Sequence, residues 1–286
     1  MEVVLALDIG GTKLATGLVT AEGELVASAS TPTPKTDNPD ELLAALLAVA
    51  DAVGGDGDIV ACGVGCGGPI TAGGELVSPL NIPSWRDFPL RQRLSASLGV
   101  PTYVDNDAKA LARGEGWMGA AAGERNYIAM VVSTGVGGGI VVDGRLLDGR
   151  DGNAGHIGHV IVEPGGRHCR CGARGCLEAE ASGPSIAAVT GRPPSEADAA
   201  TVARTGRLVG RAVGSVANLL DLRLAVVGGS VALGFGQPFF EAAQEEADAV
   251  ACLSFSRGLR VVPGGLGPDG GLIGAAAVAW EARGTR

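Results

Sequence analysis

Residues 2–20 read EVVLALDIGGTKLATGLVT, and this stretch decides the fold. The run from Glu2 to Asp8 has strand character, Gly10 and Gly11 interrupt it, and Leu14 to Thr20 resumes it up to a turn at Ala21-Glu22-Gly23-Glu24. The pattern predicts a hairpin with a glycine-rich bend. At that bend Asp8 ends the strand, Gly10 and Gly11 form the turn, and Thr12 and Lys13 add a hydroxyl and a cation. Backbone amides approach phosphate oxygens most closely where no Cβ intervenes, and a carboxylate beside them can position a hydrated magnesium ion. A plain hairpin turn would explain the glycines, but not the gathering of Asp8, Thr12 and Lys13 around them.

Outward from this hairpin, Glu24 to Ser30 predicts a third strand, Pro39 to Val53 a helix, and Ile59 to Gly65 a further strand. The arrangement then repeats. Tyr127 to Ser133 is a strand, Gly135 to Gly139 a glycine-rich bend, and Ile140 to Val142 the returning strand, which suggests a duplicated fold. In STGVGGGI, Ser133 to Ile140, the hydroxyls of Ser133 and Thr134 and the unhindered amides of Gly135 and Gly137 suit a second phosphate clamp. Asn106 to Gly116 reads as a helix between the two copies. Leu208, Val209, Ala212, Val213, Val216, Leu219 and Leu220 recur at helical spacing, with Gly210 and Gly214 allowing close packing, and Leu224 to Val227 is a buried strand running into Gly228-Gly229.

Composition narrows the function classes. A chain of 286 residues with 46% hydrophobic and 19% charged residues is globular and long enough for two lobes. The formal charge of −9 and the three lysines, Lys13, Lys35 and Lys109, leave no broad basic face for nucleic acid. The start of the sequence lacks a secretory pattern, and the apolar stretches Ile128–Val142 and Leu272–Trp280 are too short to span a bilayer, so the expectation is a cytoplasmic protein with no membrane partner. Gly63, Gly65 and Gly68 match G-x-G-x-x-G, but Pro69 follows and no helix opens there, which argues against a dinucleotide fingerprint.

Two further segments carry chemistry. In YVDNDAKA, Tyr103 to Ala110, carboxylates flank an amide where a strand meets a helix. Transfer of a phosphoryl group to a sugar hydroxyl needs a base and a partner that fixes the hydroxyl in line, so Asp107 is the candidate base and Asn106 the candidate sugar ligand. Helix capping by Asp105 or Asn106 is compatible with both roles. Between His156 and Cys176 lie all three histidines and three of the six cysteines. His159, Cys169, Cys171 and Cys176 make a closed set for structural Zn2+, with no open position for catalysis. Glu178, just beyond the last cysteine, reads equally as a sugar ligand held by the metal loop and as a surface carboxylate. Cys62, Cys66 and Cys252 read as reduced core thiols.

Together these segments resemble the ROK family, named for repressors, open reading frames and kinases, within the actin and hexokinase-like ATPase fold. The resemblance rests on DIGGTK, NIPSW at Asn81–Trp85, VDNDA, STGVGGG, AGHIGH with CRCGARGC and LE, VVGGSV at Val226–Val231, and GGLIGAA near the C-terminus. It implies an α/β, duplicated ribonuclease H-like fold with two lobes around a cleft. The small lobe would span 1–113, with a helix at about 272–286 packing back on it, and the large lobe 114–271, with the zinc loop at 156–178. It further implies ATP and Mg2+ as cofactors, DIGGTK and STGVGGG on the phosphates, and Gly228-Gly229 near the adenosine. Asp107 would be the base, Asn106, Glu178 and His159 would line the sugar, and His159 would serve zinc and sugar together, with Pro69 and Asn81 in bordering loops.

The expected activity is ATP-dependent phosphorylation of a hexose at its 6-hydroxyl, glucose first, which would make the chain a glucokinase of glycolysis. N-acetylmannosamine, N-acetylglucosamine or another hexose is the alternative acceptor, polyphosphate an alternative donor, and a non-catalytic sugar sensor the rival from another class. The resemblance implies a homodimer or homotetramer. One position departs from the family pattern: His156 stands where its sugar kinases usually carry Glu. An imidazole offers one acceptor and one donor where a carboxylate offers acceptors only, so His156 bears on which sugar is recognised.

Overall fold

The computed structural model describes residues 1–55 and 57–284, which form two compact units. The first comprises Met1–Gly119, Asp148–Ala154 and the chain from Leu266 onward, and the second Ala120–Leu147 and Gly155–Gly265.

In the first unit the chain runs through β1 (Glu2–Ile9), β2 (Lys13–Thr20), β3 (Leu25–Pro32), α1 (Pro39–Asp51), β4 (Asp58–Cys66), α2 (Leu90–Leu98), β5 (Thr102–Asn106) and α3 (Asp107–Met118). The strands lie in the order β3-β2-β1-β4-β5, antiparallel from β3 to β1 and parallel from β1 to β5. Both faces of this sheet are covered, which is why β1 is almost continuously apolar. Val3, Leu5, Leu7 and Ile9 join Leu42, Leu43 and Leu46 of α1 in one core, while Val4 and Ala6 face the C-terminal helix, Gly270–Ala282, in another. Asn38 caps α1 by accepting from the Asp40 amide at 3.0 Å, and Pro39 supplies a pre-set first-turn φ.

The C-terminal helix is buried along most of its length, so the apolar run Leu272–Trp280 belongs to a core. No helix among the described residues is long and apolar enough to cross a membrane. Its approach to the sheet explains two of the many glycines. A Cβ on Gly63 would overlap the carbonyl oxygen of Ala275, and one on Gly274 would stand 2.6 Å from that of Ala110. Gly63 and Gly65 therefore lie inside β4, where they serve packing.

The second unit repeats the frame. Its elements are β6 (Tyr127–Val132), β7 (Val136–Val142), β8 (Arg145–Leu146), α4 (Leu177–Ala181), α5 (Gly183–Thr190), α6 (Ala199–Leu220), β9 (Leu224–Gly228), α7 (Ser230–Phe235), α8 (Gln237–Val250) and β10 (Arg260–Pro263). The order β8-β7-β6-β9-β10 matches the first sheet strand for strand, with the same antiparallel and parallel pairs. A separate core of Ile128, Met130, Val209, Val213, Val227 and Phe239, among others, holds it together. Gly210 brings α6 against the Ala243 backbone of α8, as its spacing predicts, whereas Leu219, the residue before the last of the helix, is 79% exposed.

Two other expectations change. The bend after β6 is shorter than predicted: Gly137, Gly138 and Gly139 lie within β7, opposite Val131, Met130 and Ala129. A Cβ on Gly138 would press at 3.1 Å on Ile157 and at 3.3 Å on the Gly155 carbonyl, so these glycines admit the segment that leads to the metal loop. Cys62 and Cys66 are core thiols, but Cys252 is exposed beyond the end of α8, its Sγ 3.1 Å from the Ala249 carbonyl.

Candidate active site and metal centre

In the first unit, parallel strands β1, β4 and β5 end at one level, with Asp8 beside Gly65 and Cys66 beside Asn106. The carboxyl ends of parallel strands are where open α/β sheets collect their ligands. Asp107 follows at once as the first residue of α3 and is exposed, its Oδ1 accepting from the Ala108 amide at 2.8 Å. Asn106 is the helix cap: its Oδ1 accepts from the amides of Ala108 at 3.1 Å and Lys109 at 3.3 Å. Capping consumes the oxygen and leaves the Nδ2 amide as the group a ligand would meet.

Asp8 and Asp107 feel each other. Burial, then the Asp107 carboxylate, push the Asp8 carboxyl up to about 6, with Lys13 pulling the other way. The buried Cys66 thiol is held protonated, first by burial and then by the same two carboxylates.

The DIGGTK bend is tied at its base and open at its tip. Gly10 donates to the Lys13 carbonyl at 3.0 Å, and the Thr33 hydroxyl donates to the Gly10 carbonyl at 2.7 Å. Gly11, Thr12 and Lys13 are exposed. The amides of Gly11 and Thr12 enter no hydrogen bond among the described residues. A Cβ on Gly11 would stand 2.7 Å from that of Asn81, so the NIPSW loop abuts this bend. Asp8, Gly10, Gly11, Thr12, Lys13, Asn81, Asn106 and Asp107 thus collect at one end of the first sheet.

One feature here escaped the sequence reading. Lys109, its side chain only 3% exposed, reaches Asp148 at 2.7 Å, Gly152 O at 3.1 Å and Asp105 at 3.2 Å. Arg113 adds a contact to Asp105 at 3.3 Å and another to Glu281. Asn153 completes the staple, accepting from the Ile70 amide at 3.2 Å and donating to its carbonyl at 2.9 Å. Segment 148–153 is thereby pinned to the helix that begins with Asp107.

In the second unit, Ser133 donates from its amide to the Gly135 carbonyl at 2.9 Å, closing the tight turn that carries Thr134. The Ser133 hydroxyl lies 2.9 Å from that of Ser230, which follows Gly228-Gly229, so the two glycine turns are linked directly. Gly229 has φ +94° and its Cα lies where a Cβ would press on the Val132 carbonyl at 2.5 Å, a position only glycine fills without strain. Ser230 was not singled out from sequence, although its place after the glycine pair in VVGGSV was the available signal.

Glu178 sits beneath this turn. Its Oε2 accepts from the Val136 amide at 3.0 Å, and a Cβ on Gly135 would stand 3.0 Å from the same oxygen. His156 is exposed, with its ring centroid 6.0 Å from that of His159. His168 faces Arg174 at 3.0 Å and stands outside the metal set.

The donor atoms of His159, Cys169, Cys171 and Cys176 lie within 4.8 Å of one another. The His159 Nδ1 to Cys169 Sγ and Cys171 Sγ to Cys176 Sγ separations are both 3.6 Å. A tetrahedral ion with Zn–S bonds of about 2.3 Å has sulfur–sulfur edges of about 3.8 Å. The four residues therefore fit zinc. Without a cation, burial and then the neighbouring thiols oppose ionisation of Cys176 and push it up to about 12, whereas hydrogen bonds, first from the Ala173 backbone and then from Cys169, lower Cys171. A divalent ion reverses that opposition. Because Nδ1 of His159 faces the thiols, its Nε2 is left for another partner.

The ROK family model matches residues 4–282, and the chain belongs to the ROK family. Its doubled frame is the two-domain actin/hexokinase-like fold. The chain is 36% identical to the N-acetylmannosamine kinase of Salmonella paratyphi A over 294 residues, covering 96% of this chain and 97% of that protein. It is 31% identical to the glucokinase of Thermotoga maritima, covering 97% of each. The crystal structure of a ROK family glucokinase from Streptomyces griseus, in complex with glucose and AMPPNP, superposes with a TM-score of 0.84 at 29% identity, covering 96% of this chain and 98% of that one.

Proposed function

We propose that this chain is a sugar kinase that transfers the terminal phosphoryl group of ATP to the 6-hydroxyl of a hexose, with glucose as the first acceptor. The observation that carries the reading is the placement of Asp107: an exposed carboxylate that opens α3 at the ligand-collecting end of a parallel sheet, beside Asp8 and the DIGGTK bend.

Asp107 accepts the proton of the sugar hydroxyl as its oxygen attacks the γ-phosphorus, and ADP departs with the bridging oxygen. Asn106 offers its Nδ2 amide to the sugar, and Asn81 borders it. Gly11 and Thr12 present free amides to phosphate oxygens, with Lys13 adding charge. Mg2+, when bound beside Asp8, supplies charge neutralisation to the phosphates. A carboxyl raised by burial and by Asp107 regains its full charge next to such a cation. In the second unit the Ser133–Gly135 turn and Gly228-Gly229 are assigned to the nucleotide, and Glu178, His156 and the Nε2 of His159 to the sugar. Zinc at His159, Cys169, Cys171 and Cys176 is structural, since four protein ligands leave no open position.

N-acetylmannosamine is the second reading for the acceptor, favoured by the 36% identity to a kinase of that sugar against 31% to a glucokinase. The deciding experiment measures ADP release with glucose, mannose, N-acetylmannosamine and N-acetylglucosamine, on the parent and on His156→Glu in parallel. A higher kcat/KM for glucose supports the first reading, and a higher value for N-acetylmannosamine transfers the assignment to the second. If no sugar raises ADP release above background, the kinase reading fails and a sugar-binding sensor takes its place.

A further inference from the structure

Beyond the metal ligands themselves, the second unit contains a carboxylate that the proposed reaction does not use. Glu180 has a side chain only 1% exposed, two residues beyond Glu178 on the short helix α4. Residues two apart on a helix point to nearly opposite sides, since each step turns about 100°. Glu178 accordingly reaches the Val136 amide below the Ser133 turn, while Glu180 points back into the unit.

There its Oε1 accepts from the Arg167 amide at 2.7 Å, two residues ahead of Cys169. Its Oε2 accepts from Arg204 Nη2 of α6 at 2.7 Å. Arg204 and Arg167 also donate to the Glu180 carbonyl, at 3.3 and 3.2 Å, and the Glu180 amide donates to the carbonyl of Cys176 at 3.1 Å. Gly166 makes the approach possible, because a Cβ there would overlap Oε1. One buried side chain therefore binds the entry to the CRCGARGC loop, the turn of helix after its last cysteine, and the long helix α6.

We propose that Glu180 is a positioning residue that fastens the metal loop to α4 and α6, so that retention of the metal, and with it the aim of Glu178 and His159, depends on this carboxylate. The inference rests on the zinc reading of the cluster. A loop held at Arg167 presents Cys169 and Cys171 to Cys176 before any ion arrives, and preorganised ligands release their metal more slowly. Removing the carboxylate charge leaves the Arg204 guanidinium facing a neutral group, and an amide in its place turns one acceptor into a donor that opposes Arg204.

The test uses the full chain loaded with Zn2+ or Co2+ as parent, Glu180→Gln and Arg204→Lys. Transfer of zinc to a chromogenic chelator is expected to be about 10–100-fold faster in Glu180→Gln, the range typical of lost outer-shell partners. The cobalt-loaded variant should show shifted ligand-field bands, and its KM for the sugar should rise while kcat holds. Arg204→Lys, which keeps the charge with a single donor group, should release zinc at an intermediate rate, and it carries the test if Glu180→Gln does not fold. Unchanged zinc release and an unchanged cobalt spectrum in both variants, with only a lower melting temperature, would overturn the proposal. A parent chain that binds neither metal would overturn the zinc reading, and this inference with it.

Discussion

The two sheets share one strand order and one pattern of pairing, yet they hold their functional segments by different chemistry. In the first unit the extra segment, 148–153, is pinned by an ammonium and an amide: Lys109 on Asp105, Asp148 and Gly152 O, and Asn153 on the Ile70 backbone. In the second, the long insertion between β8 and β9 carries three thiols and an imidazole that gather within 4.8 Å, and a brace from the buried Glu180 to Arg204. A frame built once can be fitted out twice. An ion-pair staple needs a helix already in place to carry its charges, whereas a metal loop can order residues that have little regular structure of their own.

That contrast can be broken or sharpened by experiment, from the largest effect downward. Asp107→Asn keeps the helix start, because Asn106 remains the cap, but removes the base. The turnover rate should fall by about 10²–10⁴-fold, the usual contribution of general base catalysis, with an unchanged circular dichroism spectrum. Retention of a tenth of the parent rate would remove Asp107 from that role.

Lys109→Met breaks the staple of the first unit alone. Loss of one partner from a buried ion network should cost about 3 kcal/mol in urea unfolding, toward the low end because Arg113 stays with Asp105. Its sensitivity to a zinc chelator should match the parent's. If the variant instead lost metal faster, the two fastenings would not be separate.

The smallest effect is a pH dependence. The Asp8 carboxyl is raised to about 6, against about 3.9 in an unfolded chain, so the folded state binds this proton more tightly. The stability gained from that proton is fully present below about pH 3.9 and is lost as pH rises through about 6. Asp8→Asn should therefore be more stable than the parent at pH 7.5, without added magnesium or nucleotide, and the gap should narrow as pH falls from 7 to 5 and vanish only below about pH 3.9. A gap that stays constant across that range would show that burial does not strain Asp8.

How much of this was legible in the sequence depends on how far apart the partners lie in the chain. DIGGTK, the Asn106-Asp107 pair and the spacing of His159, Cys169, Cys171 and Cys176 are local patterns, and each maps onto one turn, one helix start or one loop. The repeated hairpins announced the duplication because a glycine bend between two apolar runs is visible within twenty residues. What stayed hidden was long-range. Ser133 meets Ser230 across 97 positions, Lys109 meets Asp148 across 39, and Glu180 meets Arg204 across 24. A lone Lys in a helix or a Glu between alanines carries no mark of its future partner, since only the packing of other elements brings the two together. The glycines of β7 were misread for a related reason: a run of glycine looks like a bend until the segment pressing on it is known.

The helix Gly270–Ala282 belongs to the first unit but is made about 150 residues after α3, with the whole second unit emerging in between. On the ribosome, where domains tend to fold in order of synthesis, the first sheet must wait with Val4, Ala6 and Gly63 uncovered until that helix has been made. The second unit, contiguous apart from one short excursion, can condense first. Closing so long a chain segment is slow, and the bare alanine-and-glycine face would be a natural place for a chaperone to dwell.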